Sequence, residues 1–159
     1  MTDHAMPGTA ALRQDRTVTV AWLAVCVVAL PSLVLTLMLW NRLAGGDAVA
    51  NLGGSVAGPV YATLGALIVR RARNLTGWFL VVEGAGLVFL SLAGLWAVGG
   101  LDYPGTLPAP KVAGLLAECS FVPITMSMIV LLMLFPSGSL PSRRWRPVVP
   151  AIFAATALM

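Results

Sequence analysis

Two carboxylates, Glu83 and Glu118, are the residues best placed to do chemistry, because each lies inside a long apolar run. An ionised side chain at the centre of a bilayer costs about 3 kcal/mol on insertion scales. Both lie about 10 Å from the start of their predicted helices, and neighbouring spans run in opposite directions. We therefore predict different depths and no acid pair. A hydrogen-bonded carboxyl in the bundle interior is the favoured interpretation, and a proton or cation relay is the alternative.

Other reactive residue types are scarce. The chain has two cysteines, Cys26 and Cys119, and one histidine, His4. The cysteines lie in apolar runs at different predicted depths, so neither a disulfide nor a metal site is expected. Phosphate-binding glycine loops, nucleophile elbows and zinc-binding helix patterns do not occur in the sequence. We predict no catalytic residue, no cofactor and no enzyme activity for this chain as given.

The composition places most of the chain in lipid. Its 159 residues are 58% hydrophobic and 10% charged, with a mean hydropathy of +0.90, whereas soluble domains have about a quarter charged residues. The formal net charge is +4, but the arginines flank membrane-length segments and form no extended basic face. The predicted partner is therefore a bilayer with an anionic inner leaflet, and no nucleic acid is expected.

Apolar segments separated by turn-forming residues define the predicted architecture. Four of them cover about 18–40, 48–69, 76–98 and 111–135, and each is about 33 Å or longer, enough to cross a ~30 Å hydrocarbon core. A fifth segment, 148–159, spans only about 18 Å and is predicted to be the incomplete start of another span. Residues 1–16 are predicted to be a disordered cytoplasmic tail. The expected fold is an all-α, multi-pass transmembrane bundle.

Arginines and tryptophans predict the orientation of this bundle. If the segments alternate across the membrane, eight of the ten cations fall on the side of the N-terminus. The positive-inside rule then places the N-terminus in the cytoplasm, and the predicted location is the cell membrane. Tryptophans near the span ends agree with this arrangement. The residues predicted to anchor the bundle at the interface are Arg70, Arg71, Arg73, Trp78, Arg143, Arg144, Trp145 and Arg146.

The second segment contains a small-residue motif. Gly54 and Gly58 form a GxxxG pattern that Ala62 and Ala66 continue at helical spacing. Small residues let two helix backbones approach closely in a membrane. The face is predicted to pack inside one bundle, and a homodimer interface is the alternative.

Two segments carry a resemblance to a known family. Residues 65–78 (GALIVRRARNLTGW) resemble membrane segments of actinobacterial proteins in which a span ends in arginines and the chain re-enters through Asn-Pro-x-Gly-Trp. Residues 132–147 (LMLFPSGSLPSRRWRP) are similar to the Phe-Pro-Asp-Gly-x-Leu-Pro-Ser-x-x-Trp loop in the multi-pass N-terminal regions of actinobacterial sensor histidine kinases. This chain has Leu75 where proline is common and Ser137 where aspartate is common.

The resemblance implies a membrane-embedded sensor or anchor module of a two-component signalling protein, often one associated with LuxR-type regulators. The kinase core is not in this chain, and His4 does not correspond to a phosphoacceptor. A response regulator is expected as a partner only if a kinase domain follows. The alternative is a stand-alone small multi-pass membrane protein or a component of a proton or cation transporter.

Overall fold

Between residues 7 and 134, the described part of the chain folds into four helices joined by short connections. The computed structural model describes residues 7–43, 45–105 and 107–134, together with 147, 148, 150, 151 and 154. The helices are α1 (Pro7–Leu39), α2 (Gly45–Ala72), α3 (Leu75–Asp102) and α4 (Pro110–Leu134). No strand occurs in these ranges. The predicted all-α fold is confirmed.

Each helix is long and apolar enough to span a membrane. The membrane-length segments are Gln14–Leu39, Ala48–Ala72, Leu75–Asp102 and Pro110–Met133. They correspond to about 36–42 Å of helix, more than the ~30 Å hydrocarbon core, which confirms four predicted spans. The predicted fifth span at 148–159 falls largely outside the described residues and stays a prediction. At its start, the Ala151 N–H donates to the Pro147 carbonyl at 3.2 Å.

Three helices extend beyond the boundaries predicted from hydropathy, and α2 does so by three residues at each end. α1 begins at Pro7, within the segment predicted to be a disordered tail. Alanine and leucine at 10–12 favour a helix, and proline is well suited to a first helical position. α3 continues past the predicted end at 98 to Asp102. There the Tyr103 N–H donates to the Gly99 carbonyl at 3.1 Å and closes the last turn.

The helices pack as a three-helix core with one attached helix. α1, α2 and α3 each contact the other two, whereas among the described helices α4 contacts only α3. Three layers of buried apolar side chains fill the core. Each layer takes residues from α1, α2 and α3, and the third also includes Leu43 of the connection between α1 and α2. They are Val18, Ala66, Val69 and Val81; Val25, Ala29, Ala62 and Val88; and Leu39, Leu43, Ala48 and Leu95.

Paired glycines bring the backbones of α2 and α3 into direct contact. A Cβ atom added at Gly58 would lie 2.7 Å from the Gly84 carbonyl oxygen, and one added at Gly77 would lie 2.7 Å from the Gly65 carbonyl oxygen. Neither distance can accommodate a side chain without moving a helix. A Cβ at Gly54 would also lie 3.2 Å from the Leu87 carbonyl oxygen of α3. The GxxxG face therefore packs inside the bundle, as predicted.

Candidate functional site in the membrane core

Three serine hydroxyls, one each from α1, α2 and α3, meet in the interior of the three-helix core. Ser32 Oγ lies 2.8 Å from Ser55 Oγ and 3.2 Å from Ser91 Oγ, and the latter two are 3.1 Å apart. All three residues are buried. We call this cluster, together with Asn51 and Thr36, the hydroxyl junction. It joins three helices through one hydrogen-bonded point.

Backbone carbonyls complete the hydroxyl junction. The Asn51 carbonyl accepts from Ser55 at 2.9 Å and from Ser91 at 2.8 Å, while Thr36 donates to the Ser32 carbonyl at 2.8 Å. Within the described part of the chain, no buried side-chain polar atom lacks a hydrogen bond. The junction contains no acid, base or activated nucleophile, so its chemistry is positioning: it fixes the relative rotation of three helices.

The sequence reasoning missed the hydroxyl junction. Asn51 and Ser55 lie four residues apart in a span with many small residues, and Ser32 follows Pro31 in the middle of another. A search for small polar residues inside each predicted span would have found them. The conclusion that they meet requires the helix rotations, which hydropathy does not give.

Glu83 is the buried carboxylate of the bundle. It lies on α3, is 3% exposed, and accepts a hydrogen bond from the Ser127 hydroxyl of α4. Ser127 Oγ also lies 2.8 Å from the Ile124 carbonyl oxygen. The Ser127 hydroxyl has one proton and donates it to one acceptor at a time. If Glu83 is protonated, it donates to the Ser127 oxygen, and the Ser127 proton is then available to the Ile124 carbonyl oxygen. The pair therefore holds one proton when Glu83 is ionised and two when Glu83 is protonated, and the hydrogen bond between them reverses its direction.

Glu118 lies elsewhere. It is exposed on α4, nine residues before Ser127, which is about 14 Å along the helix axis. No hydrogen bond to its carboxylate comes from the described residues. The structure therefore does not bring Glu83 and Glu118 together, and only Glu83 has the interior position expected for both.

The first arginine cluster lies at the end of α2 beside α1. Arg70 Nη2 donates to Thr19 Oγ1 at 2.7 Å, while Arg71 and Arg73 are exposed. Trp78 packs partly buried against the layer that contains Val18. The second cluster, Arg143, Arg144, Trp145 and Arg146, lies outside the residues that the structure describes.

The re-entry motif between α2 and α3 has a structural role. Asn74 is the N-cap of α3, and its side-chain oxygen accepts from the Thr76 N–H at 3.2 Å. Gly77 provides the close contact with Gly65, and Trp78 adds apolar packing. These residues turn the chain and seat α3 on α2.

Comparison with known proteins finds no match: no family model, curated protein or solved structure corresponds to the chain. Among the described residues, no group of three or more His, Cys, Asp or Glu side chains could hold a metal ion. The arrangement thus offers one buried carboxyl that bridges two helices and one hydroxyl cluster that joins three.

Proposed function

We propose that the chain is the membrane sensor or anchor module of a histidine-kinase-type signalling protein. The observation that carries this proposal is that, among the described helices, α4 contacts only α3, beside a tightly interlocked three-helix core. A signalling module of this kind needs a fixed part and a part that can move. The resemblance of residues 132–147 to the loop of sensor kinases adds support from the sequence.

The fixed part is the three-helix core. Backbone contact at Gly58 and Gly84 leaves α2 and α3 no room to approach further, and the hydroxyl junction hydrogen-bonds both to α1. Packed interfaces of this type respond to a perturbation by switching between discrete arrangements, not by continuous deformation. Relative motion is therefore expected outside the core.

The movable part is α4. It is tied to the core by apolar packing on α3 and by the Glu83–Ser127 hydrogen bond. Interhelical hydrogen bonds in membranes average about 0.6 kcal/mol and reach about 2 kcal/mol, so the stronger ones match the lower part of the 1–3 kcal/mol coupling of a typical allosteric ligand. Because α4 leads along the chain into the Arg143–Arg146 loop, a shift of α4 would be passed toward any segment that follows.

In this proposal the bundle lies in the plasma membrane, and its N-terminus is in the cytoplasm. The eight-to-two cation bias supports it. The cation count assumes that successive helices cross the membrane in opposite directions, and two contacts support this assumption. Arg70 meets Thr19 at one end of the bundle, and the Arg42 guanidinium lies 5.9 Å from the centre of the Tyr103 ring at the other.

Reading the gene beyond the codon for Met159 tests the signalling role. An in-frame kinase domain supports it, and a stop codon without a partner kinase contradicts it. In the full-length protein, Ser127→Ala should change autophosphorylation by about twofold to thirtyfold, the range for residues that couple two sites. Ser120→Ala is the matched control on α4, since its hydroxyl donates to the Leu116 carbonyl of its own helix at 2.6 Å.

A second candidate function is proton or cation transport, which the burial of Glu83 favours. A carboxyl with a hydroxyl partner inside the membrane is the kind of group that relays a proton. Flux measured in proteoliposomes should be abolished by Glu83→Gln and kept by Glu118→Gln, because Glu118 lies on the exposed face. If neither variant changes flux, both carboxyls have packing roles only.

A further inference from the structure

A cavity opens between α1 and α3 on the outer surface of the described bundle. Its volume is about 430 Å³, within the ~300–1,000 Å³ range of small-molecule sites. Val25 and Val88, which belong to one layer of the core, form part of its wall. The short side chains of Ala24 and Ala85 leave the space beyond that layer unfilled. Val82, which also lines the cavity, is 60% exposed, so the cavity is open at the side of the bundle.

The lining of this cavity suits a hydrocarbon chain. Four residues of α1 and six of α3 form it, and all ten are Ala, Val, Trp or Phe. The only polar side-chain atom among them is the indole nitrogen of Trp78. Sites for polar ligands add several polar groups that orient the molecule, whereas a hydrocarbon chain needs none. We therefore expect an occupant whose apolar part fills the cavity and whose polar part lies outside it.

The cavity extends along one half of the membrane. Its α3 residues run from Trp78 to Phe89, which are about 16 Å apart along the helix axis. One leaflet contributes about 15 Å to a ~30 Å hydrocarbon core. Trp78 lies four residues after Asn74, the N-cap of α3, so the cavity begins close to the membrane surface. An acyl chain that extends inward from this surface would run along its length.

Positive charge lies at the end of the bundle where the cavity begins. The last turn of α2 contains Arg70 and Arg71, and Arg73 lies between α2 and α3, five residues before Trp78. Arg71 and Arg73 are exposed. Arginines beside a membrane attract anionic lipids, and basic pockets between spanning helices bind anionic headgroups. The charge at this end and the hydrocarbon lining thus fit the two parts of one lipid molecule.

We propose that the cavity binds one acyl chain of a phospholipid whose anionic headgroup is held by Arg71 and Arg73. The lipid belongs to the leaflet on the side of the N-terminus, which is the cytoplasmic leaflet in the orientation given above. The inference is independent of the signalling role, since it rests on the cavity and on the arginines at the same end of the bundle.

Two comparisons favour an anionic lipid at this cavity. A smaller cavity of about 290 Å³ lies between α3 and α4 at the other end of the bundle, but the adjoining connection, 103–109, contains no arginine or lysine. The predicted fifth segment is the occupant that this chain itself could supply. Its described residues Pro150, Ala151 and Ala154 are exposed, and none of them lines the cavity between α1 and α3.

Filling the cavity tests the proposal in the full chain. Ala24→Phe adds a ring to the lining, whereas Val27→Phe adds one to a residue of the same helix that is 64% exposed and outside the lining. Each protein is released from nanodiscs that contain equal amounts of phosphatidylglycerol and phosphatidylcholine with the same acyl chains, and native mass spectrometry measures the retained lipid. We expect one retained lipid for the wild-type chain and for Val27→Phe, and at least about a tenfold loss for Ala24→Phe, because the ring takes the volume of the chain. Equal retention by the two variants overturns the proposal.

The choice between the two lipids gives a second readout that needs no folded variant. The wild-type chain should retain phosphatidylglycerol about fivefold more than phosphatidylcholine, or better. Arg71→Gln combined with Arg73→Gln should bring this ratio close to one, whereas Lys111→Gln, at the other end of the bundle, should leave it unchanged. Equal retention of the two lipids by the wild-type chain contradicts a headgroup bound by the arginines.

A crosslink distinguishes a lipid from a protein occupant. In a background without Cys26 and Cys119, Val82→Cys places a thiol in the lining. Under mild oxidation in native membranes, we expect no disulfide from this position. A disulfide to the same position of a second copy, or to a cysteine introduced in 148–159, would show that a protein segment fills the cavity and would overturn the proposal.

Discussion

Glu83 of α3 and Ser127 of α4 form a side-chain hydrogen bond between the three-helix core and its attached helix. The carboxyl comes from the cytoplasmic half of α3 in the proposed orientation, and the hydroxyl comes from the corresponding half of α4, which runs the opposite way. This contact joins one of the two carboxyls that the sequence marks as costly in lipid to the helix that, among those described, packs on α3 alone. Its removal should therefore act mainly on α4.

Ser127→Ala should loosen α4 while leaving the core intact. Loss of an interhelical hydrogen bond of about 1 kcal/mol speeds amide hydrogen exchange in α4 about fivefold, because local opening becomes easier. Exchange in α2 and α3 should stay the same. Ser120→Ala, which removes a hydroxyl bonded within α4, is the control. Uniform acceleration across all four helices would show that α4 is an integral part of the core.

Gly58→Val should separate α2 from α3. The new side chain would collide with the backbone at Gly84, and overpacking against a rigid backbone costs about 3 kcal/mol or more. Gly53→Val is the matched control in the same helix, since no atom lies within 4 Å of a Cβ added there. Thermal unfolding in detergent should show a large loss of stability for the first variant and almost none for the second. Equal losses would mean that β-branching in α2, not helix contact, decides the outcome.

The hydroxyl junction should behave as one unit. Ser55→Ala and Ser91→Ala each remove a hydroxyl that bonds the other at 3.1 Å and the Asn51 carbonyl. We expect each to destabilise the fold by about 1 kcal/mol, and the double variant to cost less than the sum by about 0.5–1 kcal/mol. Denaturant titration of all four proteins measures this coupling. Strict additivity would mean that the serines act through separate contacts.

Cysteine labelling tests the orientation of the chain. In a background without Cys26 and Cys119, Thr106→Cys and Ser139→Cys should react with a membrane-impermeant maleimide from opposite sides, Thr106→Cys from outside the cell. The connection after α3 and the loop after α4 lie at the two ends of α4, so one span separates them. Labelling of both from the same side would be incompatible with α4 as a full crossing.

Hydropathy was sufficient to predict the four spans, because lipid requires a continuous apolar helix of fixed minimum length. The glycine pattern was enough to predict close helix contact inside the bundle, since Gly54 and Gly58 lie one helical turn apart on the same face of α2. The start of α1 at Pro7 differed because helix propensity at 10–12 acts outside the hydrocarbon segment that hydropathy detects.

Side-chain placement around each helix could not be derived from the same signals. Glu83 and Glu118 have similar sequence surroundings, yet one is buried and the other exposed, because among the described helices α3 is packed on several sides and α4 on one. The meeting of Ser32, Ser55 and Ser91 depends on three helix rotations and three depths at once. Hydropathy averages over a window and retains none of these quantities.

The close fit of α2 and α3 also affects how the chain enters the membrane. α2 is the least hydrophobic of the four spans, and only Arg73 and Asn74 separate it from α3. With backbones in contact at Gly65 and Gly77, the two spans can partition into the bilayer as a single helical hairpin, in which the more apolar α3 offsets the weaker α2. In a translocon insertion assay, α2 should integrate poorly alone and efficiently once α3 has been synthesised behind it.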